Sequence, residues 1–214
     1  MADIFQEVEE DLRRDKAAEW WKRYSLFIYA AAAIVVIGVA GYQGWRAYDL
    51  KLRGERSDAY ADALALAAEG DSQRAREALA ALSDPSGDGY ELLAALSQAN
   101  LAVEAGDAAA AENIWQALSE NGEAGRPISD LAALFSVMRR MGDGDAAALR
   151  GELRPLAAAE APYRFTALEL LAALALREGD TAGAREHLTQ ITDDPAAPAG
   201  SRSRAAELLA SLPG

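Results

Sequence analysis

The dipeptide Gly-Asp recurs at nearly constant intervals, and this repeat constrains the fold more than any other feature of the chain. Four of its copies begin at Gly70, Gly106, Gly142 and Gly179, with spacings of 36, 36 and 37 residues. Glycine readily adopts the left-handed conformation that ends a helix, and aspartate caps the first turn of a following helix. Each Gly-Asp is therefore predicted to join two helices.

The segment after each Gly-Asp carries a small residue and then large apolar residues at fixed offsets. An alanine follows each glycine by five residues: Ala75, Ala111, Ala147 and Ala184. Offsets nine and twelve hold Leu79 and Leu82, Trp115 and Leu118, and Leu188 and Ile191, whereas the third unit has Gly151 and Arg154. Small side chains let two helices cross closely, and large apolar side chains fill the space between them. Three units are therefore predicted to keep an apolar anchor, and the third to depart from the pattern.

A second apolar-periodic segment precedes each Gly-Asp, as in residues 92–96 and 168–176, so each unit contains two helices. Two helices in about 36 residues are typical of helix-turn-helix solenoids. The period, the glycine before the turn and the small residue in the second helix resemble the tetratricopeptide repeat. We predict units around 54–84, 88–121, 127–159 and 162–194, and a capping helix at 202–212.

The N-terminal part of the chain contains one long apolar segment. Residues 24–45 carry no charged side chain. A helix of that length extends roughly 33 Å, which matches a hydrocarbon core of about 30 Å. Aromatic residues flank both ends, as expected where rings meet lipid headgroups; they are Trp20, Trp21 and Tyr24 on one side and Tyr42, Trp45 and Tyr48 on the other. Because the segment is longer than the apolar core of a cleaved signal peptide, we predict an uncleaved transmembrane helix.

The predicted fold class is therefore all-α, with a single N-terminal transmembrane helix followed by a tetratricopeptide-like helical-hairpin solenoid. The domains are a partly helical tail at 1–23, the transmembrane helix at 24–45 and the repeat domain at 46–214. In the tail, Phe5, Val8 and Leu12 share one face of a helix. Five cationic residues precede the span and four follow it, so charge favours a cytoplasmic N-terminus only weakly.

Composition argues against several classes of function. The net charge of −13 disfavours nucleic-acid binding, which needs a basic surface. The absence of cysteine excludes disulfides, thiolate metal sites and cysteine nucleophiles. His187 is the only histidine, and the sequence contains neither a nucleophile elbow nor a phosphate-binding loop. We therefore predict no enzyme, no cofactor, no bound metal and no small-molecule substrate.

A helical repeat stack offers a concave face built from the first helix of each unit. Counting back from each glycine predicts eight partner-binding residues on that face: Tyr60, Leu64, Leu96, Asn100, Arg139, Arg140, Glu169 and Arg177. The adjacent arginines Arg139 and Arg140 stand out in an acidic domain, and their guanidinium groups suit a carboxylate or a peptide chain. The alternative is that both arginines bind the carbonyl groups at the end of their own helix, just before Gly142.

The order of these segments is similar to that of a known family. The chain has a short tail, Trp20-Trp21-Lys22-Arg23-Tyr24, one span, then Gly44-Trp45-Arg46-Ala47-Tyr48 and tetratricopeptide-like repeats. This layout resembles the membrane-anchored ancillary subunits of the bacterial Sec translocon, a tetratricopeptide family with alphaproteobacterial members. The resemblance covers essentially the full length, and its most specific parts are the tail and the Gly-Trp-Arg sequence at the end of the span.

The resemblance implies a single-pass protein of the cell inner membrane, with a cytoplasmic N-terminus and a periplasmic repeat domain. It also implies association with the Sec channel and with periplasmic chaperones or client proteins. Two alternatives remain open: a general tetratricopeptide scaffold for an envelope or cell-division complex, and an enzyme subunit without an active site of its own.

Overall fold

The computed structural model describes residues 2–84, 87, 89–122 and 124–213, with side chains described from residue 20 onward except at residue 28. The predicted tail face of Phe5, Val8 and Leu12 lies outside the described side chains. Every regular element in these ranges is an α-helix: α1 Ala2–Ala68, α2 Ser72–Leu82, α3 Tyr90–Glu104, α4 Ala108–Glu120, α5 Arg126–Arg140, α6 Ala146–Leu156, α7 Arg164–Arg177, α8 Thr181–Asp193 and α9 Ala199–Ser211. The predicted all-α fold class is confirmed.

The chain divides into two compact units, residues 1–55 and 56–214. The first unit consists of most of α1. An 18-residue window of this helix reaches a mean hydropathy of 2.1, and none of the window is buried. Ile34, Val36 and Ile37 are 66–71% exposed. Within the described residues, α1 is thus the helix that is long and apolar enough to cross a membrane.

The second unit contains the end of α1 and helices α2 to α9, in which each helix packs against the next along the chain. Its apolar side chains form three clusters. The largest runs from Leu134 to Ala205 and joins α5 to α9. Another joins α3, α4 and the first half of α5, and a small one links the end of α1 to α2 and α3. Burial of these clusters holds the repeats together.

Three of the four predicted Gly-Asp junctions have the expected geometry. Gly70, Gly106 and Gly179 adopt positive φ angles of 87°, 80° and 79°, which only glycine tolerates readily. The aspartate after each glycine caps the next helix, because its carboxylate accepts a hydrogen bond from a backbone N–H three residues on. These junctions are determined by contacts within one turn of helix, which is why the sequence predicts them.

The third junction lies two residues later than predicted. The residue that caps α6 is Asp145, whose carboxylate accepts from the N–H of Ala148 at 2.8 Å, and not Asp143. Gly144, rather than Gly142, lies close to the backbone of the preceding helix. A Cβ atom at Gly144 would lie 2.7 Å from the carbonyl oxygen of Arg140. The dipeptide that joins α5 to α6 in this unit is therefore Gly144-Asp145.

The shifted junction also corrects the prediction that the third unit lacks an apolar anchor. Nine and twelve residues after Gly144 come Leu153 and Leu156, and both are buried. The predicted positions Gly151 and Arg154 are exposed, as is Ala147. The residue five positions after Gly144 is Leu149, which is fully buried. Measured from Gly144, all four units thus carry large apolar residues at the same two positions.

Replacing Gly144 with alanine is expected to lower the free energy of unfolding by about 1–3 kcal/mol, because the new Cβ collides with backbone. Gly142→Ala is the matched control. No atom lies within 4 Å of a Cβ at Gly142 and its φ is not positive, so this change should be neutral or stabilising by about 0.4–1 kcal/mol. Urea unfolding of both variants measures the difference, and equal losses would contradict the shifted junction.

Candidate partner-binding surfaces

The first helices of the four units present one set of equivalent positions to solvent. Six residues before the glycines at 70, 106, 144 and 179 lie Leu64, Asn100, Met138 and Ala173, and all four are exposed. We call these four residues the exposed row. The residues seven positions before the same glycines are buried; they are Ala63, Ala99, Val137 and Ala172. Each first helix therefore buries one face in the core and presents another.

Two more apolar side chains extend the exposed row on α3. Leu93 and Val103 are 40% and 43% exposed and lie seven residues before and three after Asn100. Residues at this spacing share one side of a helix. With Leu64 at 40% and Met138 at 49%, large apolar side chains are exposed on three of the first helices.

Of the eight residues predicted to bind a partner, Leu64 and Asn100 belong to the exposed row. Tyr60 is half-buried: its hydroxyl hydrogen-bonds Ser97 Oγ at 2.9 Å, and its ring lies 5.8 Å from that of Tyr90. Leu96 is 8% exposed and packs in the α3–α4 core. It lies ten residues before the glycine, a position at which the helix faces its neighbours rather than solvent, so its side chain is not available to a partner.

Glu169 and Arg177 connect neighbouring units. The carboxylate of Glu169 accepts a hydrogen bond from Arg204 on α9 at 2.8 Å. Arg177, at the end of α7, donates to the carbonyl oxygens of Met141 and Gly144 at 2.7 and 2.8 Å. These carbonyls belong to the turn between α5 and α6. Arg177 therefore binds the turn of the shifted junction, and the two residues have structural contacts that the sequence did not predict.

Arg139 and Arg140 lie close to carboxylates of their own domain. Arg140 donates to Glu152 Oε1 at 3.0 Å and to the Ser136 hydroxyl at 2.9 Å, and its Nε lies 3.4 Å from Glu112. It also donates to the Ser136 carbonyl oxygen at 3.2 Å, one turn before the end of its own helix. Arg139 approaches Glu112 at 3.6 Å. The hydrogen bond to Glu152 raises the pKa of the Arg140 guanidinium above its usual value, because it favours the charged form.

Arg140 occupies a position that is apolar and buried in the neighbouring first helices. Four residues before the junction glycine lie Ala102 in α3 and Ala175 in α7, which are 3% and 6% exposed. The arginine places a charged group here, beside Glu112 of α4 and Glu152 of α6. Burying a charge is costly unless it is paired, and the carboxylates of Glu112 and Glu152 provide the pairing.

The charged residues around Arg140 line a groove between α4, α5 and α6 with a volume of about 570 Å³. We call it the Arg140 groove. Its polar lining includes Glu112 and Glu120 from α4, Arg126, Ser129, Asp130, Ser136 and Arg140 from α5, and Glu152 from α6. Met138 lies two residues before Arg140 and so about 200° around the helix. The exposed row and the Arg140 groove are therefore on different sides of α5, and the eight predicted residues do not form one surface.

Arg140→Ala is expected to reduce the free energy of unfolding by about 1–3 kcal/mol, because it leaves the carboxylates of Glu112 and Glu152 without their shared cation. Arg139→Ala removes the same charge one residue away. Its single longer contact is partly exposed, so that change should cost no more than about 0.5 kcal/mol. Chemical unfolding of the two variants compares them, and equal costs would mean that Arg140 contributes no more than a surface ion pair.

Among the described residues, no three His, Cys, Asp or Glu side chains are grouped as metal ligands. The two surface features described above are the exposed row and the Arg140 groove. Comparison with known families finds that residues 18–148 match the family model described as a tetratricopeptide repeat-like domain. This match covers more than half of the 214 residues and includes the apolar part of α1. No curated protein and no solved structure matches the chain.

Proposed function

The chain belongs to the tetratricopeptide repeat-like domain family, and from that premise we propose that it is a membrane-tethered scaffold for protein–protein interaction. Helical repeat domains of this kind typically serve as scaffolds rather than enzymes, because each unit adds a helix to one continuous surface. Such a surface can bind another protein without disturbing the core.

The exposed row is the observation that carries this proposal. Soluble proteins rarely leave large apolar side chains exposed in a series, and such series mark interaction sites. Leu64 and Met138 lie at equivalent positions of different units, and Leu93 and Val103 extend the row along α3. Of the eight residues predicted from sequence, Leu64 and Asn100 are the ones we retain as partner contacts on this row.

The apolar part of α1 is proposed as the tether. It is exposed within its own unit, and its hydropathy is that of a membrane span. We propose that it crosses the cell inner membrane once, with the N-terminus in the cytoplasm and the repeat domain in the periplasm. The resemblance of the tail and of the Gly44-Trp45-Arg46 segment to Sec ancillary subunits supports this orientation.

The same resemblance supports a narrower proposal for the partner. We propose that the exposed row contacts the Sec channel, periplasmic chaperones or emerging client proteins. A scaffold for an envelope or cell-division complex is the second candidate, because the repeats and the apolar helix are equally compatible with it.

A single engineered cysteine tests both orientation and partner, since the natural sequence contains none. In spheroplasts, a membrane-impermeant maleimide should label the full chain carrying Asn100→Cys. A photoactivatable maleimide on the same cysteine should then cross-link a Sec channel subunit or a periplasmic chaperone. Gln190→Cys, exposed on α8, is the control and should be labelled equally but cross-link little.

The outcomes separate the candidates. Cross-links to cell-wall or division proteins would favour the second candidate. Labelling only after lysis would place the repeat domain in the cytoplasm and contradict the orientation. Equal cross-linking from Asn100 and Gln190 would remove the exposed row as the binding surface.

A further inference from the structure

Sulfur in this chain occurs in methionine alone. The sequence contains no cysteine and three methionines, Met1, Met138 and Met141. Peroxides oxidise protein sulfur atoms, and where cysteines are present their exposed thiolates are among the atoms that react. Because this chain has no thiol, its readily oxidised sulfur atoms are the thioethers of the methionines.

Met138 and Met141 differ in their exposure to solvent. Met138 is exposed on α5, whereas Met141 is half-buried and packs against the apolar cluster that joins α5 to α9. A half-buried thioether is less accessible to an oxidant in solution than an exposed one. Met138 should therefore react with a peroxide before Met141 does.

Met138 is also the main apolar contribution of α5 to the exposed row. Among the described residues between Val103 and Leu208, it is the large apolar side chain that remains exposed. At the equivalent positions of the neighbouring first helices, Asn100 is polar and Ala173 is small. A chemical change at this side chain therefore alters the apolar character of the row beyond α3.

We propose that oxidation of Met138 to methionine sulfoxide by hydrogen peroxide is a switch that releases a partner from the exposed row. This proposal rests on the function assigned to the row. In the reaction, a lone pair of the thioether sulfur forms a bond to one peroxide oxygen as the O–O bond breaks. The sulfur loses two electrons and the peroxide gains them. The proton of the transferred hydroxyl then joins the leaving hydroxide to give water.

The product differs from the thioether in polarity far more than in size. A thioether is apolar and adapts to an apolar partner, whereas the sulfoxide oxygen is polar and accepts hydrogen bonds. Covering that oxygen with an apolar surface removes its water without supplying a donor, which weakens binding. In the free chain the same oxygen stays in water because Met138 is exposed, so the fold should not change. Because methionine sulfoxide reductases restore the thioether, the change is reversible, as a switch requires.

Peptide mapping tests the chemistry on the full chain in peroxide-free non-ionic detergent. Trypsin cleaves after Arg139 and Arg140, so Met138 and Met141 lie on different peptides that mass spectrometry follows separately. Under hydrogen peroxide, the sulfoxide of Met138 should form at least about fivefold faster than that of Met141. When Met138 alone is oxidised, the melting temperature should stay within about 2 °C of its untreated value. Equal oxidation rates, or a larger fall in melting temperature, would overturn the proposal.

Binding is measured in spheroplasts with the photoactivatable maleimide on Asn100→Cys, attached before hydrogen peroxide is added. Oxidation should lower the yield of cross-linked partner by about fivefold or more. Met138→Leu is the matched variant, because leucine is apolar and forms no sulfoxide. Its yield after peroxide should differ by less than about twofold from its own untreated yield. Because the partner is exposed to the same oxidant in both samples, the difference between the two ratios reports the oxidation of Met138.

Met138→Gln tests the same idea without an oxidant. Its polar side chain of similar length should lower the untreated yield by about threefold or more. Equal losses after peroxide in the chains with Met138 and with Met138→Leu would overturn the switch, as would cross-linking that survives oxidation of Met138; either result leaves the row as a binding surface. Equal untreated cross-linking from Asn100→Cys and Gln190→Cys would instead overturn the row and the switch together, so the two failures are distinguishable.

Discussion

Replacing Val35 and Val36 with aspartate should release the full chain from membranes. Each aspartate at the centre of a membrane helix costs about 2.5–3.5 kcal/mol of insertion free energy, so the pair costs about 5–7 kcal/mol. The natural chain should remain in the membrane pellet through an alkaline carbonate wash, whereas the double variant should appear in the supernatant. The measurement is the fraction of chain in each phase by immunoblot.

A control variant with the same added charge outside the span shows whether the position of the charge, and not the charge alone, releases the chain. Leu50→Asp with Gly54→Asp introduces two carboxylates on exposed positions of α1 beyond the predicted span, and that chain should stay in the pellet. Release of the natural chain would show that α1 does not span a membrane. Retention of the Val35, Val36 variant would show that something other than this segment holds the chain there.

The features that could be predicted from sequence are those encoded within one turn of helix. The glycine at 70, 106 or 179 and the aspartate after it form a junction through contacts spanning four residues or fewer. The apolar residues at fixed offsets then follow from the helical period. For this reason the all-α architecture and its tetratricopeptide-like repeat were predictable.

The third junction shows where local signals become ambiguous. The sequence contains two consecutive candidates, Gly142-Asp143 and Gly144-Asp145, and equal spacing favours the first. Packing selects the second, because Gly144 brings Val137 into register with the buried residues Ala99 and Ala172. The signal was present in the sequence: Leu153 and Leu156 stand at the expected offsets from Gly144.

The roles of the arginines depend on contacts that the repeat pattern does not contain. Arg140 binds carboxylates 28 residues before it and 12 residues after it, on two other helices. Arg177 reaches the carbonyl oxygens of a turn more than 30 residues earlier. A helical period assigns a side chain to a face, but long side chains reach across to neighbouring helices. The Arg140 groove could therefore not be predicted from the repeat pattern, because the contacts that form it join residues far apart in the sequence.

Leu153→Ala should lower the free energy of unfolding by about 2–5 kcal/mol, a large part of the roughly 5–15 kcal/mol typical of a domain. Leu153 is fully buried in the cluster that joins α5 to α9, so its removal leaves a cavity. Arg154→Ala is the control at the next position. Arg154 is the residue that equal spacing places at the anchor, yet it is exposed, and its loss should cost no more than about 0.5–1 kcal/mol. Urea unfolding of the full chain in mild detergent, followed by far-UV circular dichroism, compares the two. A larger loss for Arg154→Ala than for Leu153→Ala would restore the junction at Gly142 and contradict the assignment of Gly144-Asp145.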